Sequence, residues 1–148
     1  MKEYTVKVKV YTDKTEWYLN DKLHRENGPA IEYADGSKVW YLNGKLHRED
    51  GPAIEYVSGS KYWYLNGKRH KEDGPAYEWA DGSKSWYLNG KLHRENGPAI
   101  EYSDGSKAWY LNGIQYNEAE FITKTTVQEM TMEELCKELG RTIKIKKE

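Results

Sequence analysis

One cysteine, one phenylalanine and four prolines occur in 148 residues, and neither sign of charge is in excess. A lone Cys136 excludes an internal disulfide framework and a Cys-based zinc site, and it suits a reducing compartment. Lys+Arg number 23 against 24 Asp+Glu, and segments 1–16, 17–116 and 117–148 carry +1, −1 and −1. No segment therefore has the basic surplus of a duplex-binding protein or the acidic surplus of a nucleic-acid mimic. No apolar run approaches the roughly 20 residues that span a bilayer, so no membrane partner is expected. The opening MKEYTVKVKV is charged and alternating, unlike a secretory signal. A cytoplasmic location, in a host bacterial cytosol if the gene is viral, is the expectation. Aliphatic residues are also scarce. Hydrophobic residues total 37%, and much of that share is thirteen Tyr and six Trp, whose polar tips rarely bury fully. Thirteen Gly argue against a helical bundle, since each Gly inside a helix costs about 1 kcal/mol relative to Ala.

What the chain has instead is a period. WYLN recurs at Trp17, Trp40, Trp63, Trp86 and Trp109, always 23 residues apart. Four full units follow, and fourteen of the 23 positions are identical in all four. A fifth copy begins as WYLNGIQY over 109–116 and then departs. The chain thus divides into an N-terminal capping strand over 1–16, the repeats over 17–116 and a small α+β cap over 117–148.

Each unit carries two turn signals. Asn-Gly (Asn20-Asp21 in the first unit) follows the WYL run, and Asp-Gly (Ser58-Gly59 in the second) follows the EY run. Both dipeptides favour two-residue type I′ turns between antiparallel strands. The short aromatic and β-branched segments between them suit strands. The E-D/N-G-P-A segment reads as a bend where Pro need not donate. The fold expected is mainly β, an antiparallel hairpin meander forming an open single-layer sheet or a solenoid.

Two-residue turns would fix the register. At Asn43-Gly44 they pair Leu42 with Lys45, Tyr41 with Leu46 and Trp40 with His47. At Asp35-Gly36 they pair Tyr33 with Lys38 and Ile31 with Trp40. One face would then hold Ile31, Tyr33, Trp40, Leu42 and His47, with Lys38 and Lys45 over them. The other would hold Ala30, Glu32, Val39, Tyr41 and Leu46. The Val39 position becomes Tyr62, Ser85 and Ala108, and the Leu46 position becomes Arg69, so this second face is expected to meet solvent.

At the ends, Tyr4, Val6, Val8 and Val10 alternate with Lys7 and Lys9 as an opening strand. After Tyr116, residues Asn117–Ile122 read as one or two helical turns. Thr131–Glu134 is a capping-box pattern, MEELCKEL is amphipathic with Gly140 as its stop, and 141–146 alternates as a last strand. An open array needs such caps.

The N-G-K-x-H run and the following Y-x-D-G resemble the MORN repeat, whose units are stacked β-hairpins in an open twisted sheet. The resemblance covers about 17–116. MORN units carry G-x-G after the His where this chain has R-E-D-G-P-A. The sequence is closer to MORN variants repeating W-Y-x-N-G-x-x-H-R-x-D-G-P-A, which are abundant in bacteriophage and some bacteria. The resemblance implies a phage-encoded, non-enzymatic adaptor that binds protein or lipid and often dimerises.

Metal and catalytic chemistries fit the pattern poorly. His24, His47, His70 and His93 recur once per unit, roughly 10–14 Å apart at about 4.8 Å per strand. Ligands of one zinc ion sit about 2 Å from it, so these four cannot share one site. Four equal copies of any Ser, His or Glu constellation on an open sheet exclude little water and converge on no unique pocket. Phosphate-cradling Gly-rich loops are absent. No enzyme activity, metal or cofactor is expected.

Binding fits better. Trp, Tyr and Arg are the side chains enriched in interaction hot spots. The candidate binding residues are Trp40, Trp63 and Trp86, His47, His70 and His93, and the row Arg48, Lys71 and Arg94, which continues Arg25. Unit three adds Arg69, Tyr77 and Trp79, and Ser85 also departs there; an asymmetric partner would dock on that unit. The leading expectation is a phage protein that binds and inhibits a host defence protein through its repeat surface. The alternatives are a sponge for a small nucleotide signal and a scaffold self-associating through a sheet edge or the C-terminal helix.

Overall fold

A computed structural model describes residues 5–126, 136–137 and 140. β1 (Val6–Val10) pairs antiparallel with β2 (Lys14–Leu19), which turns back into β3 (Lys22–Leu23). Each internal repeat then builds two hairpins in succession. The first set is β4 (Ile31–Tyr33) with β5 (Lys38–Val39), then β6 (Tyr41–Leu42) with β7 (Lys45–Leu46). The pattern returns in β8 (Ile54–Glu55), β9 (Lys61–Tyr62), β10 (Tyr64–Leu65) and β11 (Lys68–Arg69). It returns again in β12 (Tyr77–Glu78), β13 (Lys84–Ser85), β14 (Tyr87–Leu88) and β15 (Lys91–Leu92). β16 (Ile100–Glu101), β17 (Lys107–Leu111), β18 (Ile114–Tyr116) and α1 (Glu118–Thr126) complete the described elements.

The fold is mainly β, a long antiparallel meander. Twelve strands form one open sheet in the order β1-β2-β4-β5-β8-β9-β12-β13-β16-β17-β18, with β3 also on β2. The Asn-Gly hairpins β6-β7, β10-β11 and β14-β15 stand beside this sheet as two-stranded pairs. They are tied to one another by backbone bonds such as Gly67 N–H to the Leu46 carbonyl at 2.8 Å and Arg48 N–H to the Tyr64 carbonyl at 3.1 Å.

The Asn-Gly turns have the expected register. Tyr41 opposes Leu46, Leu42 opposes Lys45, and His47 N–H donates to the Trp40 carbonyl at 3.1 Å. Asn43 and Gly44 both take positive φ, 53° and 78°, as a type I′ turn demands.

The Asp-Gly turns do not follow the expected register. Ile31 opposes Val39 and Glu32 opposes Lys38, one residue away from the Tyr33–Lys38 and Ile31–Trp40 pairs that a two-residue turn would give. The loop is three residues long, closed by Tyr33 N–H to the Ser37 carbonyl at 2.9 Å and Gly36 N–H to the Tyr33 carbonyl at 3.0 Å. Here only Gly36 has positive φ, 94°, the signature of a type I turn followed by a left-handed glycine. Asp35 Oδ1 accepts from Ser37 N–H at 2.8 Å, which supports the loop without deciding it, since unit two closes the same three-residue loop with Ser58 in that place.

A slip of one residue moves side chains to the opposite face, and the two faces are redrawn accordingly. Ile31, Tyr33, Val39, Tyr41 and Leu46 share one, called here the tyrosine face. Glu32, Lys38, Trp40, Leu42, Lys45 and His47 share the other. The Val39 position is therefore not solvated: Val39 is 7% and Ser85 1% exposed. Across the sheet the pairs link into a row, Ile31–Val39–Ile54–Tyr62–Tyr77–Ser85–Ile100–Ala108. The opposite face carries an alternating row, Glu32–Lys38–Glu55–Lys61–Glu78–Lys84–Glu101–Lys107. Unlike charges directly opposite one another contribute roughly 0.2–1 kcal/mol per pair.

The core is thin, as the shortage of aliphatics requires. Ala30, Ala53, Ala76 and Ala99 are fully buried behind their prolines, and Ser37, Ser60 and Ser83 are buried beside the Asp-Gly loops. Those serines join consecutive units: Ser37, Ser60 and Ser83 Oγ accept from the N–H groups of Val57, Ala80 and Ser103, each at 3.0 Å.

At the C-terminal end, α1 is longer than one or two turns. Asn117 caps it reciprocally, its Oδ1 accepting from Glu120 N–H at 2.9 Å while Glu120 Oε2 accepts from Asn117 N–H at 3.1 Å. Cys136 and Lys137 are helical, and Gly140 takes φ 58° with its N–H to the Lys137 carbonyl at 3.4 Å. The 131–134 capping box and the 141–146 strand lie outside the described residues.

Candidate functional site

The corrected register separates the sequence candidates into two groups. Trp40, Trp63, Trp86, His47, His70, His93, Arg48, Lys71 and Arg94 lie on the charged face. Arg69, Tyr77 and Trp79 lie together on the tyrosine face.

On the charged face each candidate is engaged in holding the array together. The Arg48 guanidinium stacks on the Trp40 ring, 4.0 Å from its centroid, and pairs with Glu55 at 2.7 Å. It also donates to the Pro52 carbonyl at 3.2 Å. Arg25 on Trp17, Lys71 on Trp63 and Arg94 on Trp86 repeat the stack at 4.0, 3.7 and 3.8 Å. These cations are half-buried rather than solvated, and their carboxylate partners lie seven residues on, across the Gly-Pro-Ala bend. The bend glycine makes room for them. A Cβ at Gly51 would lie 2.9 Å from Arg48 Cζ.

The histidines act between units. His24, His47, His70 and His93 each accept, through Nδ1, the backbone N–H of Asn43, Asn66, Asn89 and Asn112 at 3.0–3.1 Å. With Nδ1 accepting, Nε2 is left as the ring's N–H donor, and it faces Glu26, Glu49, Glu72 and Glu95 at 3.5–3.7 Å. No group of three or more His, Cys, Asp or Glu able to hold a metal occurs among the described residues.

Shallow grooves of about 790, 480 and 600 Å³ run between successive bends of this face, floored by Trp40, Trp63 and Trp86. The last groove differs, because α1 stands where the next bend would be and buries Phe121 against the Trp109 end. The fifth unit has Asn117 where the stacking Arg would stand, and the helix supplies the missing cover.

The tyrosine face is built otherwise. Tyr77 is in ring contact with Tyr62 at 4.4 Å, Trp79 at 5.3 Å, Tyr87 at 5.5 Å and Tyr64 at 6.0 Å. The Tyr64 and Tyr77 hydroxyls are in direct hydrogen-bond contact. Burial, then the bond to Tyr64, pushes the Tyr77 phenol well above its usual range. Arg69 lies 5.1 Å from the centroids of both Tyr77 and Tyr87 and donates to the Tyr87 hydroxyl at 3.2 Å. Under this cluster Ser85, directly opposite Tyr77, is buried with no partner for its Oγ among the described residues. Tyr56 and Tyr102, at 43% and 48% exposure, extend the aromatic strip to either side.

At the N-terminal end of the same face, Glu16 occupies the place that Val39 holds in the next unit. It is buried, bonded by Lys14 Nζ at 2.8 Å and by the Tyr18 hydroxyl at 2.5 Å. Lys14, then Tyr18, holds its carboxyl below the usual range, and the same bond pushes the Tyr18 phenol up to about 12.

Sequence reasoning missed Tyr62, Tyr64 and Tyr87 as members of this cluster. One signal for it was present, the exchange of Ile for Tyr77 in the same unit that exchanges Val, Tyr or Ala for Ser85. Among the described residues no helix is long and apolar enough to cross a membrane. No family model matches the chain, and no curated protein matches it significantly.

Proposed function

We propose that this chain is a non-catalytic protein-binding scaffold that docks its partner on the tyrosine face. One observation carries the reading: the Trp, His and Arg rows hold the units together, whereas the tyrosine face gathers an aromatic cluster around Arg69 and leaves Tyr56 and Tyr102 exposed on either side of it. Tyr, Trp and Arg are the side chains enriched in interaction hot spots. On the charged face, repetition of the same neutralised set in every groove argues against a unique reaction centre.

The MORN-variant resemblance adds the finer reading of a phage-encoded protein whose partner is a host defence protein. Affinity capture on the intact chain, from infected and uninfected bacterial cells, tests it. A stoichiometric partner lost on joint substitution of Tyr64, Tyr87 and Trp79 supports the proposal. Recovery of no partner from either source overturns it.

A second reading is self-association. Among the described residues β1 is an edge of the sheet, with Val6, Val8 and Val10 all exposed, and edge strands template pairing unless blunted. Lys7 and Lys9 supply some blunting. Light scattering decides this reading: a dimer that Val8→Lys dissociates supports it, and a monomeric mass removes it.

A further inference from the structure

Unit three is where the tyrosine face departs from its neighbours. Arg69 stands where units two and four have Leu46 and Leu92, opposite Tyr64 in the β10–β11 hairpin. From β4 to β18 it is the only ionisable side chain, tyrosine phenols aside, that the strand register puts on this face. Arg25, Arg48 and Arg94 each have a Glu carboxylate within 2.8 Å, while no ion pair forms at Arg69 among the described residues. Two tyrosine rings flank the guanidinium and phenol oxygens accept from it, Tyr64 as well as Tyr87, but phenols do not balance its charge as a carboxylate would. A guanidinium carries five donors in a planar fork matched to a carboxylate.

We infer that Arg69, with Tyr64, Tyr77, Trp79 and Tyr87 around it, is the docking site for an Asp or Glu side chain of a partner protein, flanked there by apolar residues. This rests on the protein-binding reading above and names the chemistry of its centre. Charge complementarity selects the carboxylate, and the surrounding rings select apolar neighbours that keep water from the ion pair. A free nucleotide suits the place less well. Small ligands need a concavity that covers most of their surface, and the grooves described above line the opposite face or α1.

A displayed random-peptide library selected against the intact chain tests the inference, with Arg69→Leu as the paired variant. That substitution installs the residue units two and four already carry, and an unchanged unfolding midpoint checks that the fold is kept. Selected peptides should share an acidic residue beside apolar ones. They should bind about tenfold or more weakly to Arg69→Leu, or when their own acidic residue becomes an amide. Arg69→Glu should turn the selected consensus basic. Peptides that bind wild type and Arg69→Leu equally would overturn the inference while leaving a protein-binding role intact. Failure to enrich any peptide overturns it too. So does Arg69-dependent binding of AMP or inorganic phosphate with no affinity for acidic peptides.

Discussion

Ser85 offers the sharpest energetic test of how unit three is built. The residue is 1% exposed, its hydroxyl has no hydrogen-bond partner among the described residues, and it faces Tyr77 across the β12–β13 ladder. Leaving a buried polar group unpaired costs about 1–3 kcal/mol. Ser85→Ala should therefore raise stability by roughly 1 kcal/mol or more, a few degrees in Tm for a chain of this size. Ser85→Val restores the side chain that stands opposite Ile31 in unit one, yet here it meets a tyrosine. Overpacking should then cost about 1–3 kcal/mol. Combining it with Tyr77→Ile rebuilds the Ile–Val pair of unit one, so the double variant should be more stable than the sum of the single changes by about 1–3 kcal/mol. Urea unfolding followed by tryptophan fluorescence measures all four corners of the cycle. Additivity within about 0.5 kcal/mol, or a destabilised Ser85→Ala, would refute the placement of Ser85 beneath Tyr77.

Three further outcomes follow from contacts already given. Arg48→Ala removes a cation–π stack and the hydrogen bonds to Asp50, Glu55 and the Pro52 carbonyl, and should cost about 1–3 kcal/mol in urea unfolding; Arg48→Lys should cost less, because Lys71 fills that role in unit three. Gly51→Ala should displace the guanidinium from Trp40, destabilise the wild type, and be nearly neutral once Arg48 is Ala. The Glu16–Tyr18 pair gives stability a pH window with a definite sign. The contribution of Glu16, whose carboxyl is lowered, is present above the ordinary carboxylate range and is lost as pH falls through its own pKa. That of Tyr18 is present below its ordinary value of 10.0 and is lost as pH rises through about 12. The urea midpoint of Glu16→Gln should lose the acid limb, and its Tyr18 should ionise at lower pH by ultraviolet titration; a wild-type profile in both would contradict the pairing.

Much of the architecture was legible in the sequence because a 23-residue period and paired turn dipeptides speak through local physics. Asn43-Gly44 is an example: both residues tolerate positive φ, and the pair sits at a type I′ turn in the structure. Asp35-Gly36 shows where the reading stopped. The same kind of dipeptide also fits a three-residue loop, and Asp35-Gly36 and Ser58-Gly59 both stand in one although only the first has a carboxylate to accept from the following serine. With that slip went the faces. Trp40 and His47 are candidates for a binding row on the sequence, and in the structure Arg48 stacks on the one while the Asn66 backbone N–H donates to the other. These contacts join residues 8 and 19 positions apart, beyond any turn rule. Arg69 and Tyr77 stood out by departing from the repeat, but their company of Tyr64 and Tyr87 depended on the corrected register.

Cross-strand nuclear Overhauser contacts at unit three test the register on which both faces depend, and the distinct sequence there makes the assignment unambiguous. Ring protons of Tyr77 should show contacts to Ser85 Hβ, to the Tyr62 ring and to the Tyr64 ring. Contacts from Tyr77 to the Trp86 indole, with none to Ser85, would establish the two-residue turn. That result would return the Trp and His rows to the aromatic side and dissolve the surface centred on Arg69.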